Sequence, residues 1–389
     1  MKILFAGPYP PVRDGIGEFT WMLAQELQRG GHEVRVVVPY PVPGLPAEVL
    51  GSLRTAGRER ARLSRALAAW NPDVVHVQFA IAGFGIRTIA LIRWLDRIRQ
   101  DSGVPVVVTM HEPTRESASL PLLGRAAQRA IASRSDHFIV HTPAAQSAVV
   151  AELGVPAGKV SLTPLPDARF RGGPAIGADL RARFGLAGAR VLLSFGFIHV
   201  DKGLDDLIDA LSILRDSAPA VLDGVRVVIA GDVRPRHGAF RVMGARDRRY
   251  LAGLIRRIGR GGLRDLIVIT GYVPDEDVAG WFGLAEAVVL PYREAEQSGV
   301  ERLARSAGVP VLASSAIGPV EPAAAGRWRF PPRAPARLAE TIRDFLTTAG
   351  PQTPRPEPAG SDLAPVAAAT LDLYRLAAGT EAAKVQDVS

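Results

Sequence analysis

A short stretch in the second half of the chain combines a carboxylate with the amides of a helix start. In residues 290–314, LPYREAEQSGVERLARSAGVPVLAS, an apolar strand runs into Glu294, a glycine turn at Gly299, a helix and a second apolar strand. This order places Glu294 and the Gly299 amide at the carboxyl edge of a parallel sheet, where open α/β proteins bind ligands. The first amides of a helix attract anions. The stretch therefore predicts a site for a ligand with phosphate and hydroxyl groups, such as a nucleotide sugar.

Lys202 is the second residue whose type and position suggest chemistry. It lies in HVDKGLDDL, directly before a predicted helix, so its ammonium and the helix dipole can meet the same anion. Lysine is otherwise found only at Lys2, Lys159 and Lys384. In such a chain, a lysine at this position indicates that a compact point charge is preferred to a guanidinium. The alternative is a surface lysine at a helix start.

Two groups of residues after predicted strands of the first half are further candidates. Gly15, Ile16 and Gly17 form a glycine turn before a helix, and such a turn lets backbone amides approach a phosphate. Any strand-to-helix connection can use the same glycines. His111, in MHEPT, follows the predicted strand 104–109 and should lie at the carboxyl rim of a parallel sheet. The alternative for a lone histidine there is a loop or core residue.

The elements that must position these residues alternate between strand and helix, and the order repeats twice. Strands of the first half are predicted at 2–7, 34–38, 74–77, 104–109 and 138–140. Those of the second half are predicted at 191–195, 225–230, 266–270, 287–290 and 309–313. Their unbroken Val and Ile character indicates burial on both faces, which parallel sheets require. The predicted class is α/β with two parallel-sheet domains.

Size and composition restrict the class of protein. At 389 residues the chain exceeds one ordinary core, which favours two domains. It contains no cysteine, which excludes a disulfide scaffold, thiolate zinc sites and thiol nucleophiles. We expect neither a secretory leader nor a membrane-spanning segment, because the apolar run 3–6 is short and prolines follow it at once. The expected location is cytoplasmic.

The formal charge of +8 comes from arginines that are scattered over the predicted helices. Because they form no single basic stripe, a solvated surface is expected and nucleic acid is not an expected partner. Peripheral contact with an anionic membrane stays open as an alternative, and the basic segment 54–70 is its best candidate.

Four motifs in this order resemble a family-4 glycosyltransferase of the GT-B fold. They are GPYPPVRDGIGEF at the N-terminus, HEP after the fourth strand, FGFIHVDKGLDDLIDAL opening the second half, and the stretch 290–314. The resemblance covers nearly the whole chain and implies two Rossmann-like domains that face a central cleft. The predicted divisions are an acceptor-side domain over 1–165, a linker over 166–190, a nucleotide-sugar-binding domain over 191–350, and a Pro-rich segment with a helix over 351–389. That last helix packs on the second domain or returns to the first.

The resemblance also implies roles for single residues. As catalytic residues, His111 contacts the donor sugar, Lys202 binds the donor diphosphate, and Glu294 binds sugar hydroxyls or supports charge development at the anomeric carbon. The implied donor-binding residues are Gly15, Ile16, Gly17, Gly196, Lys202, Val273, Arg293, Glu294, Ser298, Gly299 and Val300. Neither a cofactor nor a metal is implied. Residues 275–277 spell a D-x-D metal box, but acidic residues also favour a helix start.

Three positions depart from the family pattern. The second glutamate of the E-x7-E motif should lie at Leu303, and Glu301 is out of register because two residues turn a helix by about 200°. The usual ribose contact is therefore predicted to be missing. Phe197 follows Gly196 where many relatives have an arginine. The second positive charge is then expected from one of three residues, His199, Arg234 or Arg293. Asp14 replaces a glycine and is expected to face the acceptor or solvent.

The leading hypothesis is a retaining, metal-independent hexosyltransferase that moves a sugar from a UDP- or GDP-linked donor to a hydroxyl acceptor. Departure of the diphosphate creates an oxocarbenium-like centre, and the leaving phosphate takes the acceptor proton, so no protein nucleophile is needed. A lipid-linked glycan, a polysaccharide or a secondary metabolite would each suit as acceptor. Two alternatives stay open: a GT-B sugar-nucleotide epimerase or hydrolase, and a non-catalytic homologue that binds a sugar nucleotide or acts as a scaffold.

Overall fold

The fold consists of two compact units. The computed structural model describes residues 1–12, 15–53, 58–111, 113, 121–163, 175–234, 241–295, 298–317, 328–348 and 363–379. The first unit comprises Met1–Pro166 and Asp362–Ser389, and the second comprises Asp167–Ser361. Each unit contains one parallel sheet with helices between its strands. The predicted α/β class with two Rossmann-like parallel sheets is confirmed.

The first unit has a seven-stranded sheet in the order β3-β2-β1-β4-β5-β6-β7. Its strands are β1 (Lys2–Ala6), β2 (Glu33–Val38), β3 (Val49–Ser52), β4 (Val74–Phe79), β5 (Val106–Met110), β6 (His137–Val140) and β7 (Val160–Leu162). The α-helices between them are α1 (Gly15–Arg29), α2 (Arg58–Trp70), α3 (Ile81–Phe84), α4 (Thr88–Asp101), α5 (Pro121–Ala132) and α6 (Pro143–Leu153).

The second unit has a six-stranded sheet in the order β10-β9-β8-β11-β12-β13. Its strands are β8 (Arg190–Phe195), β9 (Val225–Ala230), β10 (Ile267–Gly271), β11 (Ala285–Leu290), β12 (Val311–Ser314) and β13 (Arg329–Phe330). Its α-helices are α7 (Ala175–Arg183), α8 (Leu204–Ser217), α9 (Arg241–Arg260), α10 (Asp275–Leu284), α11 (Gly299–Ser306) and α12 (Pro335–Thr348).

Apolar strands bury both faces of each sheet. In β1, Leu4 joins the core on one face, whereas Ile3 and Phe5 join the core on the other. All three side chains are fully buried. Successive residues of a strand point to opposite faces, so a strand covered on both sides has to be apolar throughout.

Strand order reverses beside the first strand of each sheet. β1 lies between β2 and β4, and β8 lies between β9 and β11. Open α/β sheets bind ligands outside the carboxyl ends of their strands at such a switch point. The loop that begins at Gly7 follows β1, and the loop that begins at Gly196 follows β8, so both glycine-containing loops start at switch points.

The C-terminal helix α13 (Ala364–Ala377) packs on the first unit. Leu363, Ala367 and Tyr374 are buried in the same core cluster as Ile3 and Phe5 of β1. The chain therefore enters the first unit a second time, after the second unit has been completed.

Part of the predicted linker 166–190 is folded into the second unit. Residues 175–183 form α7, and Leu180 and Leu186 are fully buried in the core there. Because their apolar side chains pack under β8 and α10, these residues cannot act as a free connection. Residues 166–174 lie outside the described part of the chain. The remaining domain boundaries stay predictions.

Helix length and polarity bear on membrane contact. Within the described residues, no helix combines the length and apolarity needed to cross a bilayer. The basic segment 54–70 contains α2, and residues 54–57 lie outside the described part.

Gly231 shows how closely the two loops beside the second switch point approach each other. A Cβ on Gly231 would lie 2.0 Å from the carbonyl oxygen of Gly196. We expect Gly231→Ala to destabilise the second unit by at least about 2 kcal/mol, because backbone on both sides has to move. Gly253→Ala in α9 is the matched control, since its Cβ meets nothing within 4 Å. Urea unfolding followed by circular dichroism measures both, and equal stabilities would contradict the prediction.

Candidate functional site

The loop after β8 is held against the segment after β11 by direct backbone contact. Gly203 has a φ of 61° and precedes α8, and a Cβ there would lie 2.0 Å from the carbonyl oxygen of Pro291. Only glycine fits this approach and this φ. The Arg293 amide also donates a hydrogen bond to the Asp201 carbonyl at 2.8 Å. The turn that carries Lys202 is therefore fixed relative to β11.

Three predicted donor-binding residues come together at this edge of the sheet. A Cβ built on Gly196 would lie 3.8 Å from Lys202 Nζ and 3.7 Å from Val300 Cγ2. Gly196 has a φ of 104°, a conformation that glycine adopts without strain. The structure thus joins the ends of β8 and α11 around the Lys202 ammonium, although these residues are far apart in sequence.

Tyr292 is a further residue of this site that sequence reasoning missed. Lys202 Nζ donates a hydrogen bond to the Tyr292 hydroxyl and lies 3.8 Å from the centroid of its ring. Burial raises the pKa of Tyr292, a nearby Glu301 adds to this, and a hydrogen bond with Ser298 opposes it. The side chain is therefore a neutral phenol beside a cation. Its position one residue before Arg293, directly after a buried strand, is the signal that could have identified it.

Arg293, a predicted donor-binding residue, is bound to two carboxylates at the start of α8. Its guanidinium binds Asp206 through Nε at 3.0 Å and Nη2 at 2.8 Å, and it binds Asp205 through Nη2 at 2.8 Å. These carboxylates raise the pKa of Arg293. A guanidinium held by two carboxylates has little positive charge left for a phosphate, which argues against the predicted contact of Arg293 with the donor.

Arg234 and His199 are the other two candidates for the second positive charge. The Arg234 guanidinium lies 4.8 Å from the centroid of the Phe197 ring, and His199 Nδ1 lies 3.5 Å from an Asp201 carboxylate oxygen. Arg234 therefore stacks on the aromatic residue that replaces the arginine of many relatives. Asp14, the third departure from the family pattern, lies outside the described residues.

The predicted carboxylate of Glu294 and the predicted amides of Ser298 and Gly299 lie at or just before the start of α11. Ser298 caps the helix, because its Oγ accepts a hydrogen bond from the Glu301 amide at 3.1 Å. Gly299 and Glu294 are exposed. Val273 differs from them, since its side chain is buried in the core of the second unit. Only the backbone of Val273 is therefore suited to contact a ligand.

Glu301 faces away from the solvent and is bound within the second unit. Its Oε1 accepts a hydrogen bond from Arg329 Nη2 of β13 at 2.7 Å, and 5% of the residue is exposed. Burial raises the pKa of Glu301, and Arg329 opposes this rise. Leu303, at the position of the family's second glutamate, packs against the core. Glu301 thus supports β13 and is not directed at the site.

In the first unit, the glycine loop approaches its own strand end. A Cβ on Gly17 would lie 3.2 Å from the Tyr9 nitrogen and 3.3 Å from the Pro8 carbonyl carbon, whereas one on Gly15 would meet nothing within 4 Å. The Ile16 carbonyl accepts a hydrogen bond from Thr20 Oγ1 at 2.7 Å. A side chain at Gly17 would therefore require this backbone to shift by a few tenths of an ångström, whereas Gly15 leaves open space at the helix start.

His111 lies directly after β5 and is buried. Its Nε2 is 2.7 Å from Gln78 Oε1, and its ring lies 5.1 Å from the ring of His141, centroid to centroid. Burial holds the pKa of His111 well below its ordinary value, and the neighbouring imidazoles of His141 and His76 lower it further. The ring is neutral at physiological pH, so it is suited to hydrogen bonding and not to carrying a positive charge.

The acidic residues of the D-x-D sequence form the first turn of α10. Asp277 Oδ2 lies 3.7 Å from Arg183 Nη1. Within the described ranges, no group of three or more His, Cys, Asp or Glu side chains could hold a metal ion. The acidic run is thus placed where the helix dipole favours it.

Comparison with protein families gives two matches that together cover most of the chain. Residues 13–166 match the model described as Glycosyltransferase Family 4. Residues 189–348 match the model described as Glycosyl transferases group 1. The first match contains His111 and the glycine turn, and the second contains Lys202 and the stretch 290–314.

Two curated proteins illustrate the similarity. The D-inositol 3-phosphate glycosyltransferase of Streptomyces avermitilis is 29% identical over 70% of this chain and 57% of its own length. A GDP-mannose-dependent alpha-(1-6)-phosphatidylinositol monomannoside mannosyltransferase of Mycobacterium tuberculosis is 26% identical over 82% of this chain and 81% of its own. The alignments with this protein and with two other D-inositol 3-phosphate glycosyltransferases of Streptomyces span about three fifths of those proteins' length.

Solved structures share the fold. HepE of Anabaena, in complex with UDP and glucose, superposes with a TM-score of 0.68 at 18% identity and covers 100% of both chains. Sucrose-phosphate synthase of Thermosynechococcus elongatus gives a TM-score of 0.66 at 19% identity, over 97% of this chain and 98% of its own. The predicted GT-B fold class is confirmed.

The buried histidines predict a pH-dependent first unit. Burial lowers the pKa of His76 to about 3, and the pKa of His111 is also lowered. The stability these neutral rings provide is complete above about pH 6.5 and is lost as the pH falls towards their folded pKa values. Between pH 7.5 and 5.5, protonation linked to His76 should cost the first unit about 1.4 kcal/mol, and His111 should add to this loss in the same direction.

Hydrogen exchange measures this effect separately in the two units. Protection of β4 amides, corrected for the intrinsic pH dependence of exchange, should fall at least about tenfold over this range, because the free-energy loss from His76 alone corresponds to a factor of about ten. Protection of β9 in the second unit serves as the internal control and should change little over the same range. Equal losses in both strands would contradict the assignment to buried histidines.

Proposed function

We propose, on the premise that the chain belongs to the family 4 and group 1 glycosyltransferases, that it transfers a sugar from a nucleoside diphosphate sugar to a hydroxyl acceptor. The observation that carries the proposal is the convergence of Gly196, Lys202 and Val300 at the switch point of the second sheet. A cation, a glycine at the strand end and two helix starts at one edge suit a diphosphate.

Lys202 is the proposed ligand of the diphosphate. Its ammonium lies just before α8, so the charge and the helix dipole act on the same anion. The ring and the hydroxyl of Tyr292 both contact this ammonium. For the second positive charge we propose Arg234, which stacks on Phe197, because the guanidinium of Arg293 is bound to Asp205 and Asp206.

The proposed sugar contacts are Glu294 and His111. Glu294 is exposed just before α11, where its carboxylate can accept hydrogen bonds from hydroxyls and can stabilise positive charge near the anomeric carbon. His111 is neutral and can exchange a hydrogen bond with a hydroxyl. The backbone amides of Gly15, Ile16 and Gly17, together with those of Ser298 and Gly299, are proposed to face anionic or hydroxyl groups of the donor.

The proposed reaction retains the configuration of the sugar. The bond between the anomeric carbon and the diphosphate oxygen breaks as the acceptor oxygen bonds to the same face. The acceptor proton passes to the leaving phosphate, so the chain supplies no nucleophile. Lys202 stabilises the charge that develops on the leaving group, and Glu294 stabilises the oxocarbenium-like centre.

The nucleotide is proposed to be UDP or GDP. HepE was solved with UDP and glucose, and the mycobacterial relative is named as GDP-mannose-dependent. The acceptors in the relatives' names differ, since they include an inositol phosphate and a phosphatidylinositol monomannoside. We therefore leave the acceptor as a hydroxyl compound. Peripheral membrane contact and a cytoplasmic location stay predictions.

Turnover with and without acceptor separates this proposal from its alternatives. A transferase consumes donor only when an acceptor hydroxyl is present, apart from slow hydrolysis. An epimerase or hydrolase would turn over the donor alone, and a non-catalytic homologue would bind without turnover. Thermal-shift screening against UDP, GDP and their sugar conjugates, followed by nucleotide-release assays on the best ligand, tests all three.

Lys202→Ala is expected to weaken binding of the NDP-sugar about ten- to a hundredfold while the fold is kept. Hydrogen bonds to charged groups contribute roughly 1.5–3 kcal/mol, which corresponds to this range. Lys159→Ala, which removes an exposed lysine of the first unit, is the matched control. Calorimetric titration with the nucleoside diphosphate measures both variants. Unchanged affinity in Lys202→Ala would show that the diphosphate binds elsewhere.

Transfer should persist in EDTA. The proposed chemistry places the leaving-group charge on Lys202 and helix amides, so no divalent ion is required for it. Initial rates are compared after dialysis against EDTA and after addition of Mg²⁺ or Mn²⁺. Loss of activity in EDTA that either ion restores would refute metal independence while leaving the fold and the family unaffected.

A further inference from the structure

A chain of buried polar groups runs from the C-terminal helix to His111 inside the first unit. The Tyr374 hydroxyl lies 2.6 Å from His76 Nδ1, and His76 Nε2 lies 2.7 Å from Thr109 Oγ1 and 3.3 Å from Gln78 Nε2. Gln78 Oε1 in turn lies 2.7 Å from His111 Nε2. Tyr374, His76 and Gln78 are fully buried, and His111 is 9% exposed.

This chain lies on one face of two central strands. His76 and Gln78 are two residues apart in β4, so they point to the same face, and Gln78 pairs in register with Thr109 of β5. The same face contains the apolar Ile3 and Phe5 of β1, and Phe5 pairs in register with His76. Apolar side chains would fill it without the cost of burying polar groups. The polar set therefore has a use other than packing.

The hydrogen bonds form one consistent set. The Gln78 carbonyl accepts from Nε2–H of His111, so Nδ1 of that neutral ring keeps its lone pair. In this orientation the Gln78 amide group donates to Nε2 of His76, so His76 has its proton on Nδ1, 2.6 Å from the Tyr374 hydroxyl; the opposite orientation of the Gln78 amide would reverse both tautomers. Because one side of the Gln78 amide accepts and the other donates, the tautomers of the two histidines are linked.

Gly7 allows Gln78 to occupy this position. A Cβ on Gly7 would lie 2.9 Å from the Gln78 Cβ and 3.2 Å from its carbonyl oxygen. The glycine at the start of the loop after β1 is thus required by the residue that binds His111. Among the described residues, His141 is the further titratable group that lies against His111, and its Nδ1 donates to the Thr163 carbonyl at 2.7 Å.

We propose that Gln78, His76 and Tyr374 are positioning residues that hold His111 as the neutral Nε2–H tautomer, with Nδ1 ready to accept a hydrogen bond from a sugar hydroxyl. The role of the hydroxyl rests on the proposed function, whereas the tautomer does not. Through Tyr374, the last helix of the chain takes part in the chemistry of a residue in the loop after β5.

The test combines a spectroscopic readout with kinetics. The protein is labelled with ¹⁵N-histidine, and the His111 signals are identified by their loss in His111→Asn. Long-range ¹H–¹⁵N spectra then assign the tautomer in the wild type, in Gln78→Met and in Tyr374→Phe. Ser161→Ala is the matched control, because it removes a hydroxyl that hydrogen-bonds the buried His137 of the same sheet at 2.9 Å.

We expect the wild type to show a protonated Nε2 and a bare Nδ1 on His111. In Gln78→Met, the two nitrogen signals should move towards each other as both tautomers become populated, and kcat should fall about three- to tenfold with donor KM changed less than twofold. Tyr374→Phe should have a smaller effect in the same direction. Ser161→Ala should leave the His111 signals and kcat unchanged.

Several results would overturn the proposal. They are an Nδ1–H tautomer in the wild type, His111 signals that stay unchanged in both variants, or a loss of kcat in Ser161→Ala equal to that in Tyr374→Phe. If Gln78→Met does not fold, Tyr374→Phe decides alone. If the wild type turns over no donor, the proposed function fails, and the tautomer signals still support or refute the positioning role.

Discussion

Close approach of backbone to backbone at the carboxyl edges of the sheets is the constraint on which both candidate sites depend. Gly203 lies against the Pro291 carbonyl, and Gly231 lies against the Gly196 carbonyl. Gly7 has the same relation to Gln78 in the first unit. In the first two cases a side chain would separate two loops that follow neighbouring strands, and in the third it would separate the loop after β1 from β4. The absence of a Cβ therefore decides whether residues from different strands can meet around one ligand.

Charge balance at the start of α8 follows from that constraint. Asp205 and Asp206 favour the helix N-terminus, but their negative charges would oppose a phosphate bound there. Arg293 reaches them because the segment after β11 is packed against the loop after β8. Its single positive charge offsets one of the two negative charges, and Arg257 lies 3.8 Å from Asp205, so less negative charge opposes an anion at Lys202.

Most of the fold was predictable from the sequence, and the exceptions share a cause. The central strands are runs of Val, Ile and Leu buried on both faces, so their positions follow from composition alone. The strands that were missed, β3, β7 and β13, lie at sheet edges and are four, three and two residues long. Short edge strands have little apolar character and form because a paired neighbour offers hydrogen-bonding groups.

The sequence by itself determined the order of the elements, the glycine turns at strand ends and the one lysine before α8, because these depend on local spacing. Only the tertiary structure decided which side chains support them. Tyr292 lies 90 residues from Lys202, and Tyr374 lies 298 residues from His76. Glu301 likewise binds Arg329 of β13. Such partners are selected by strand order and by the path of the C-terminal helix, and neither leaves a periodic signal in the chain.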